Sequence, residues 1–286
     1  MNGFINLLKP VGLSSSEAVV KVKYLLKDSG NKTTVGHMGT LDPLACGVLP
    51  IGVGKATRLF DYFLKKKKEY IAVFIFGKET DTFDSCGKVI NTDNKIITTG
   101  EINAILPKFI GNIPQIPPMY SAISVNGVRA YDAARKGKDV NLKARDVVVD
   151  EIKVIEQIDV NTFLFDIKCG SGVYIRSLIR DIAKELNTVG YMGALIRTNS
   201  GKFDIESAKT LEEIESDVTG SIVSTEQILT DIETIQFDTE DLLRLKNGLT
   251  LNCNYNDGEY LIKEEGEALA LACVNDHEIK LTVRLK

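Results

Sequence analysis

The segment Gly36-His37-Met38-Gly39-Thr40-Leu41-Asp42-Pro43-Leu44-Ala45-Cys46-Gly47-Val48-Leu49-Pro50 sets one carboxylate among glycines and prolines and has little periodicity. Glycine permits positive φ and close backbone approach, and Pro43 confines Asp42 before it to extended conformations. A chain built this way can hold a single carboxylate rigidly, as covalent or proton-transfer catalysis requires. The same pattern also makes an ordinary turn, since Asp-Pro initiates turns, so local pattern alone leaves both readings open.

Other chemistry is harder to support. Gly52-Val53-Gly54-Lys55-Ala56-Thr57 resembles a phosphate loop only superficially. Counted from Gly47 and Gly52, Val53 stands where the lysine must be, and Thr57 comes one place late after Lys55, so an NTPase is not indicated. Asp81 and Asp84, taken with Asp42, suggest a carboxylate hydrolase or a metal site. With only His37 and His277 in the chain and no third clustered carboxylate, no metal site is expected. The five cysteines, Cys46, Cys86, Cys169, Cys253 and Cys273, form no C-x-x-C pair and no disulfide framework. Most are expected to be small buried hydrophobes.

The composition of the 286 residues, 44% hydrophobic and 26% charged, is that of a soluble globular protein of one large domain or a large and a small one. No apolar run approaches the roughly 18 residues that span a bilayer, and the N-terminus lacks a secretory pattern. A cytoplasmic, membrane-free protein is expected. Net charge is −4, but its distribution is uneven. Residues 1–68 carry 11 basic and 4 acidic side chains, residues 69–200 balance at 16 each, and residues 201–286 carry 8 basic and 19 acidic ones. A polyanion responds to the local field, so the basic end is the face expected to meet phosphates. Lys65-Lys66-Lys67-Lys68 reads as a solvated turn or a phosphate contact, with Lys67 and Lys68 nearest Tyr70.

These residues need elements to position them. Ser14 and Glu17 have capping-box spacing ahead of an apolar stripe of Ala18, Val22, Leu25 and Leu26, which predicts a helix over 14–27. Residues 69–77 and 161–168 read as strands. Gly170-Ser171-Gly172 breaks the chain before a helix from about 173, with Arg176, Arg180 and Lys184 on one face. Thr210 and Glu213 mark another helix start, 239–247 reads as a helix closed by Gly248, and Ile279, Leu281, Val283 and Leu285 alternate as a last strand. Strands interrupted by irregularly spaced helices predict an α+β protein with a mixed sheet. A boundary falls near 235, separating a domain of residues 1–235 from a small, mostly-β module at 236–286.

The block GHMGTLDPLACGVLPIGVGKATRLFDYF resembles the signature of the bacterial tRNA pseudouridine synthase B family. In order along the chain, Lys9-Pro10-Val11-Gly12-Leu13-Ser14-Ser15, Glu79-Thr80-Asp81-Thr82-Phe83-Asp84, Pro118-Met119-Tyr120-Ser121-Ala122, Cys169 to Leu178, and Leu195-Ile196-Arg197-Thr198 with Gly201 and Phe203 resemble its other motifs. The resemblance spans residues 3–210. It departs at Leu8, often polar in the family, and at Ile196-Arg197, often two arginines.

The resemblance implies an isomerase that converts uridine to pseudouridine at position 55 in the TΨC loop of tRNA, without metal or other cofactor. It implies a mixed, mainly antiparallel sheet with surrounding helices and a C-terminal module of the PUA type, for which residues 236–286 are short and acidic. It makes Asp42 the catalytic aspartate, Arg176 the arginine paired with it and Tyr70 the tyrosine packed on the target base. His37, Tyr174 and Leu195 become substrate-contacting positions, and Lys9 a lysine near the site. No protein partner is implied, so a monomer is expected. The competing reading is a non-catalytic tRNA-binding chaperone, which would need the basic surface and the aromatics but not Asp42.

Overall fold

The computed structural model describes residues 1–30, 32–121 and 142–286, with the backbone pairing of Ser124–Val125 and Val128–Arg129. Ala122 lies outside the described residues. Strand Lys68–Phe76 alternates buried Tyr70, Ala72, Phe74 and Phe76 with half-exposed neighbours, the period-2 pattern of a sheet with one face on a core. It pairs antiparallel with Thr162–Cys169 on one side and with Gly190–Ser200 on the other. The sheet grows outward from this centre, in the order Gly3–Lys9, Cys46–Val53, Gly190–Ser200, Lys68–Phe76, Thr162–Cys169, Arg145–Asp159, Gly111–Gln115. Only the contact of Gly190–Ser200 with Cys46–Val53 is parallel, so the sheet is mixed and mainly antiparallel.

The predicted helices form where their caps say. Ser14 and Glu17 close a full capping box on helix Ser15–Asp28, and Thr210 and Glu213 do the same for Leu211–Ser216. Gly248, at φ 87°, follows helix Thr239–Lys246. Helix Ile175–Glu185 begins two residues later than the sequence suggests and buries Ile175, Leu178, Ile179 and Ile182 in the main core. Its arginine face is not simply solvated, because Arg176 is itself buried. Cysteine burial is also less than expected. Cys169 is buried, Cys46, Cys253 and Cys273 are half-buried, and Cys86 is exposed.

A second sheet runs in the order Thr234–Ile235, Gly258–Glu264, Glu267–Asn275, Glu278–Arg284, Leu251–Asn252. Thr234–Ile235, at the expected boundary, pairs with Leu261 and Ile262 of this sheet. The two bodies share a hydrophobic cluster. Phe4, Leu59, Phe63 and Phe203 from the first meet Leu261, Leu271 and Leu285 from the second. The Arg58 Nη1 donates across the joint to the Arg284 carbonyl at 2.9 Å.

Phe63 is the keystone of that joint, with its ring 4.9 Å from Phe4 and 5.5 Å from Phe203. Phe63→Ala is expected to lower unfolding free energy by about 3–5 kcal/mol, measured by urea titration. A loss below about 1 kcal/mol would mean that the joint repacks around the missing ring.

Candidate active site

The Asp42 loop is fixed on three sides. The Ser15 Oγ accepts from the Leu41 amide at 2.8 Å and donates to the Leu41 carbonyl at 2.9 Å, which ties the loop to the start of helix Ser15–Asp28. The Gly12 amide donates to the Pro43 carbonyl at 2.8 Å, and Ala45 N–H to the Asp42 carbonyl at 3.0 Å. Met38, Leu41 and Ala45 are sunk into the protein around it. Asp42 itself keeps 32% of its side chain exposed, so its carboxylate is held firmly and can still be reached.

The Arg176 Nε lies 2.9 Å from the Asp42 Oδ2, and the arginine side chain is only 6% exposed. The Nε–H is not aimed along that line, so the contact is a close ion pair rather than an aligned hydrogen bond. The other guanidinium nitrogens are occupied. Nη1 donates to the Thr82 carbonyl at 3.2 Å and lies 3.6 Å from the Asp84 Oδ2, and Nη2 donates to the Tyr120 carbonyl at 2.9 Å. Asp84 is buried in turn. Its Oδ1 accepts from the Thr82 Oγ1 at 2.7 Å and the Cys86 amide at 3.0 Å. Phe83, between the two contacts, has φ 58°, a costly conformation for a bulky residue. The turn through Phe83 lets the Thr82 carbonyl and the Asp84 carboxylate converge on one guanidinium.

The helix that delivers Arg176 lacks a side-chain cap of its own. Gln115, from the sheet edge, instead fixes the backbone of the N-cap residue Tyr174. Its Oε1 accepts from Tyr174 N–H at 2.8 Å and its Nε2 donates to the Tyr174 carbonyl at 3.2 Å. Both Ser177 Oγ and Arg180 Nη2 donate to the Ile116 carbonyl, at 2.9 Å each.

Of the other expected residues, Tyr70 and Leu195 lie on the buried faces of adjacent strands. Burial pushes the Tyr70 phenol up to about 12, against the opposing charge of Arg197, so the ring stays neutral. Tyr174 is half-buried, and its phenol too is raised by burial. His37 ends strand Val35–His37 with its ring 6.5 Å from Phe60, and burial, then Arg197, lowers its pKa.

The lysines divide. Lys67 is 74% exposed and pairs with Asp150 at 2.8 Å. Lys68 is buried, with its ammonium on the carbonyls of Leu64 and Lys66. Lys9 is fully buried and donates to the carbonyls of Pro10 and Leu13 at 2.8 and 2.7 Å. In this arrangement Lys9 and Lys68 brace turns, and Lys67 alone of the three faces solvent. Two residues were not expected as partners of this site: Asp84, considered with Asp42 and Asp81 for a carboxylate hydrolase or a metal site, and Arg197. The signal for Arg197 was an inversion on its strand, where apolar Ile196 points outward and Arg197, 1% exposed, points inward.

A model described as "TruB family pseudouridylate synthase (N terminal domain)" matches residues 27–175. The chain belongs to the TruB family. It is 36% identical over 289 residues to a tRNA pseudouridine synthase B of Clostridium novyi (strain NT), covering 98% of each chain. It is 38% identical to one of Rickettsia akari (strain Hartford), covering 96% of this chain and 95% of that one. A chain of a Cbf5-Nop10-Gar1 complex shares the fold with a TM-score of 0.74 and 25% identity, covering 99% of this chain and 85% of that one. The second, strand-rich body of this TruB-family chain is consistent with a PUA-like module.

Two predictions follow from the geometry. Arg176→Lys keeps the charge but loses the planar fork that reaches Asp42, Asp84 and two carbonyls together. It is expected to lower the catalytic rate about 100-fold and leave tRNA affinity nearly unchanged. Single-turnover rates and dissociation constants check this, and a loss in affinity alone would make Arg176 a phosphate contact.

Burial lowers the Lys9 pKa from 10.5 to about 8, with Cys46 and Asp42 opposing the shift. Native Lys9 therefore gives up its proton before the unfolded chain does. Below pH 8 the full cost of the buried charge is present. Between pH 8 and 10.5 unfolding takes up a proton, so stability rises with pH. Wild-type stability is expected to gain on Lys9→Met across that window, read from urea titrations at each pH. Parallel curves would show that Lys9 stays charged.

Proposed function

We propose that this TruB-family chain isomerises uridine to pseudouridine in tRNA, at position 55 of the TΨC loop. The observation that carries this reading is the Asp42 carboxylate, one-third exposed, with one oxygen fixed by the buried Arg176. The reaction breaks the bond from N1 to C1′, turns the uracil, forms a bond from C5 to C1′, releases the C5 proton to solvent and leaves a proton on N1. It is redox-neutral and consumes no second substrate. Asp42 supplies the carboxylate the exchange depends on. Arg176 keeps its Oδ2 in place while a third of the side chain stays open to the substrate. A stacked uridine must be extruded to reach it, at a cost of a few kcal/mol that stacking and pocket contacts offset. Tyr70, Tyr174 and Leu195 are proposed to meet the flipped base, His37 and Lys67 the surrounding RNA.

Action as a monomer is part of this proposal, and a tRNA substrate supports a cytoplasmic location. An RNA chaperone would have no use for a buried guanidinium shared by two carboxylates. The test is tritium release from unmodified tRNA carrying [5-³H]uridine, with wild type and Asp42→Asn compared. Asp42→Asn is expected to turn over slower by about 10³-fold or more and to keep its tRNA affinity. Wild-type turnover by the variant would remove Asp42 from the chemistry, and an inactive wild type that still binds tRNA would favour the chaperone.

A further inference from the structure

Arg197 is among the largest fully buried side chains of the protein. Among the described residues no carboxylate pairs with it. Its partners are instead three backbone carbonyls of the Asp42 loop. Nε donates to Val48 at 2.7 Å, Nη1 to Thr40 at 3.1 Å and Nη2 to Gly39 at 3.3 Å. Gly39 and Thr40 precede Asp42, and Val48 follows it. One planar group therefore holds both ends of the loop at a set separation.

We infer that Arg197 is a positioning residue for the isomerisation, a clamp that fixes the backbone on either side of Asp42. The inference rests on the reading that Asp42 is the catalytic carboxylate. A methionine or leucine would fill much the same space without burying a charge. What the guanidinium adds is several donors in a rigid fork, a geometry suited to carbonyls at fixed points. The strand backbone of Arg197 takes part as well. Gly47 is its register partner, and a Cβ on Gly47, where φ is 108°, would stand 2.3 Å from the Arg197 carbonyl oxygen. The loop is thus seated on this residue through both main chain and side chain, and Tyr70 is its cross-strand neighbour on the other side. The surroundings also feel the buried cation, since burial first and Arg197 after it lower the pKa of Lys9, Lys68 and His37. Arg176 fixes the carboxylate of Asp42, and Arg197 fixes the backbone that carries it.

A clamp and a mere core residue differ in kinetics. Arg197→Lys keeps charge and most of the volume but loses the fork. Gly47→Ala leaves the guanidinium intact and pushes the loop off the strand. Each variant is assayed for single-turnover rate at saturating unmodified tRNA, for tRNA dissociation constant and for its circular-dichroism melt. Hydrogen exchange is followed in peptides covering 38–48. Both variants are expected to lose about 100-fold in rate, to bind tRNA within about threefold of wild type, and to exchange faster in that loop while the central strands stay protected. Wild-type rates in either folded variant, or losses confined to affinity, would overturn the inference. So would loss of the native fold in both, which would make Arg197 a folding residue. A wild-type protein inactive on the same tRNA would count against the proposed function instead.

Discussion

The ion pair of Arg176 with Asp42 joins a guanidinium that is nearly buried to a carboxylate that stays one-third exposed. A cation taken out of water costs several kcal/mol unless its donors are met. Here the charge is balanced by Asp42 and Asp84, and the carbonyls of Thr82 and Tyr120 accept hydrogen bonds from the Nη atoms. Those four partners come from three separate stretches of chain. The sheet, the helix carrying Arg176 and the turn at Phe83 all have to be in place before the pair can form. The site is therefore a product of the whole first body.

The same logic recurs beneath the loop. Lys9, Lys68 and Arg197 are all buried, and all direct their donors at backbone carbonyls. Turns and loops leave carbonyls without sheet or helix partners, and a buried one needs a donor. Cationic side chains meet that need at the cost of desolvation, and burial first, with Arg197 adding to it, lowers the pKa of Lys9 and Lys68. The basic character of residues 1–68 is thus partly an internal bracing system, and only part of it faces outward as a field for RNA.

The C-terminal body stands in a different relation to the chemistry. It contributes Leu261, Leu271 and Leu285 to a cluster shared with Phe4, Phe63 and Phe203, on the far side of the Gly3–Lys9 and Cys46–Val53 strands from the main core. It contributes no side chain to the Asp42 site among the described residues. What the structure shows for it is mechanical support of the first body through that cluster.

The amino-acid sequence by itself determined the elements that obey local rules. Capping boxes at Ser14 and Thr210, the period-2 burial of Lys68–Phe76 and the glycine after helix Thr239–Lys246 are short-range effects, written in neighbouring residues. It also singled out Asp42, because glycine and proline around one acid are unusual, although the turn reading was separated from the catalytic one only by resemblance to a family. What only the tertiary structure decided was which charges are spent inside. Arg176 on a helix face, Arg197 on a strand and Lys68 in a lysine run all read locally as surface cations. Lys68 is buried on the carbonyls of its own turn, Leu64 and Lys66, whereas Arg176 and Arg197 are buried because partners far along the chain converge on them. Thr40 and Arg197 are 157 residues apart, and Thr82 and Arg176 are 94 apart. No local pattern encodes such a meeting, since it exists only after the strands have found their register.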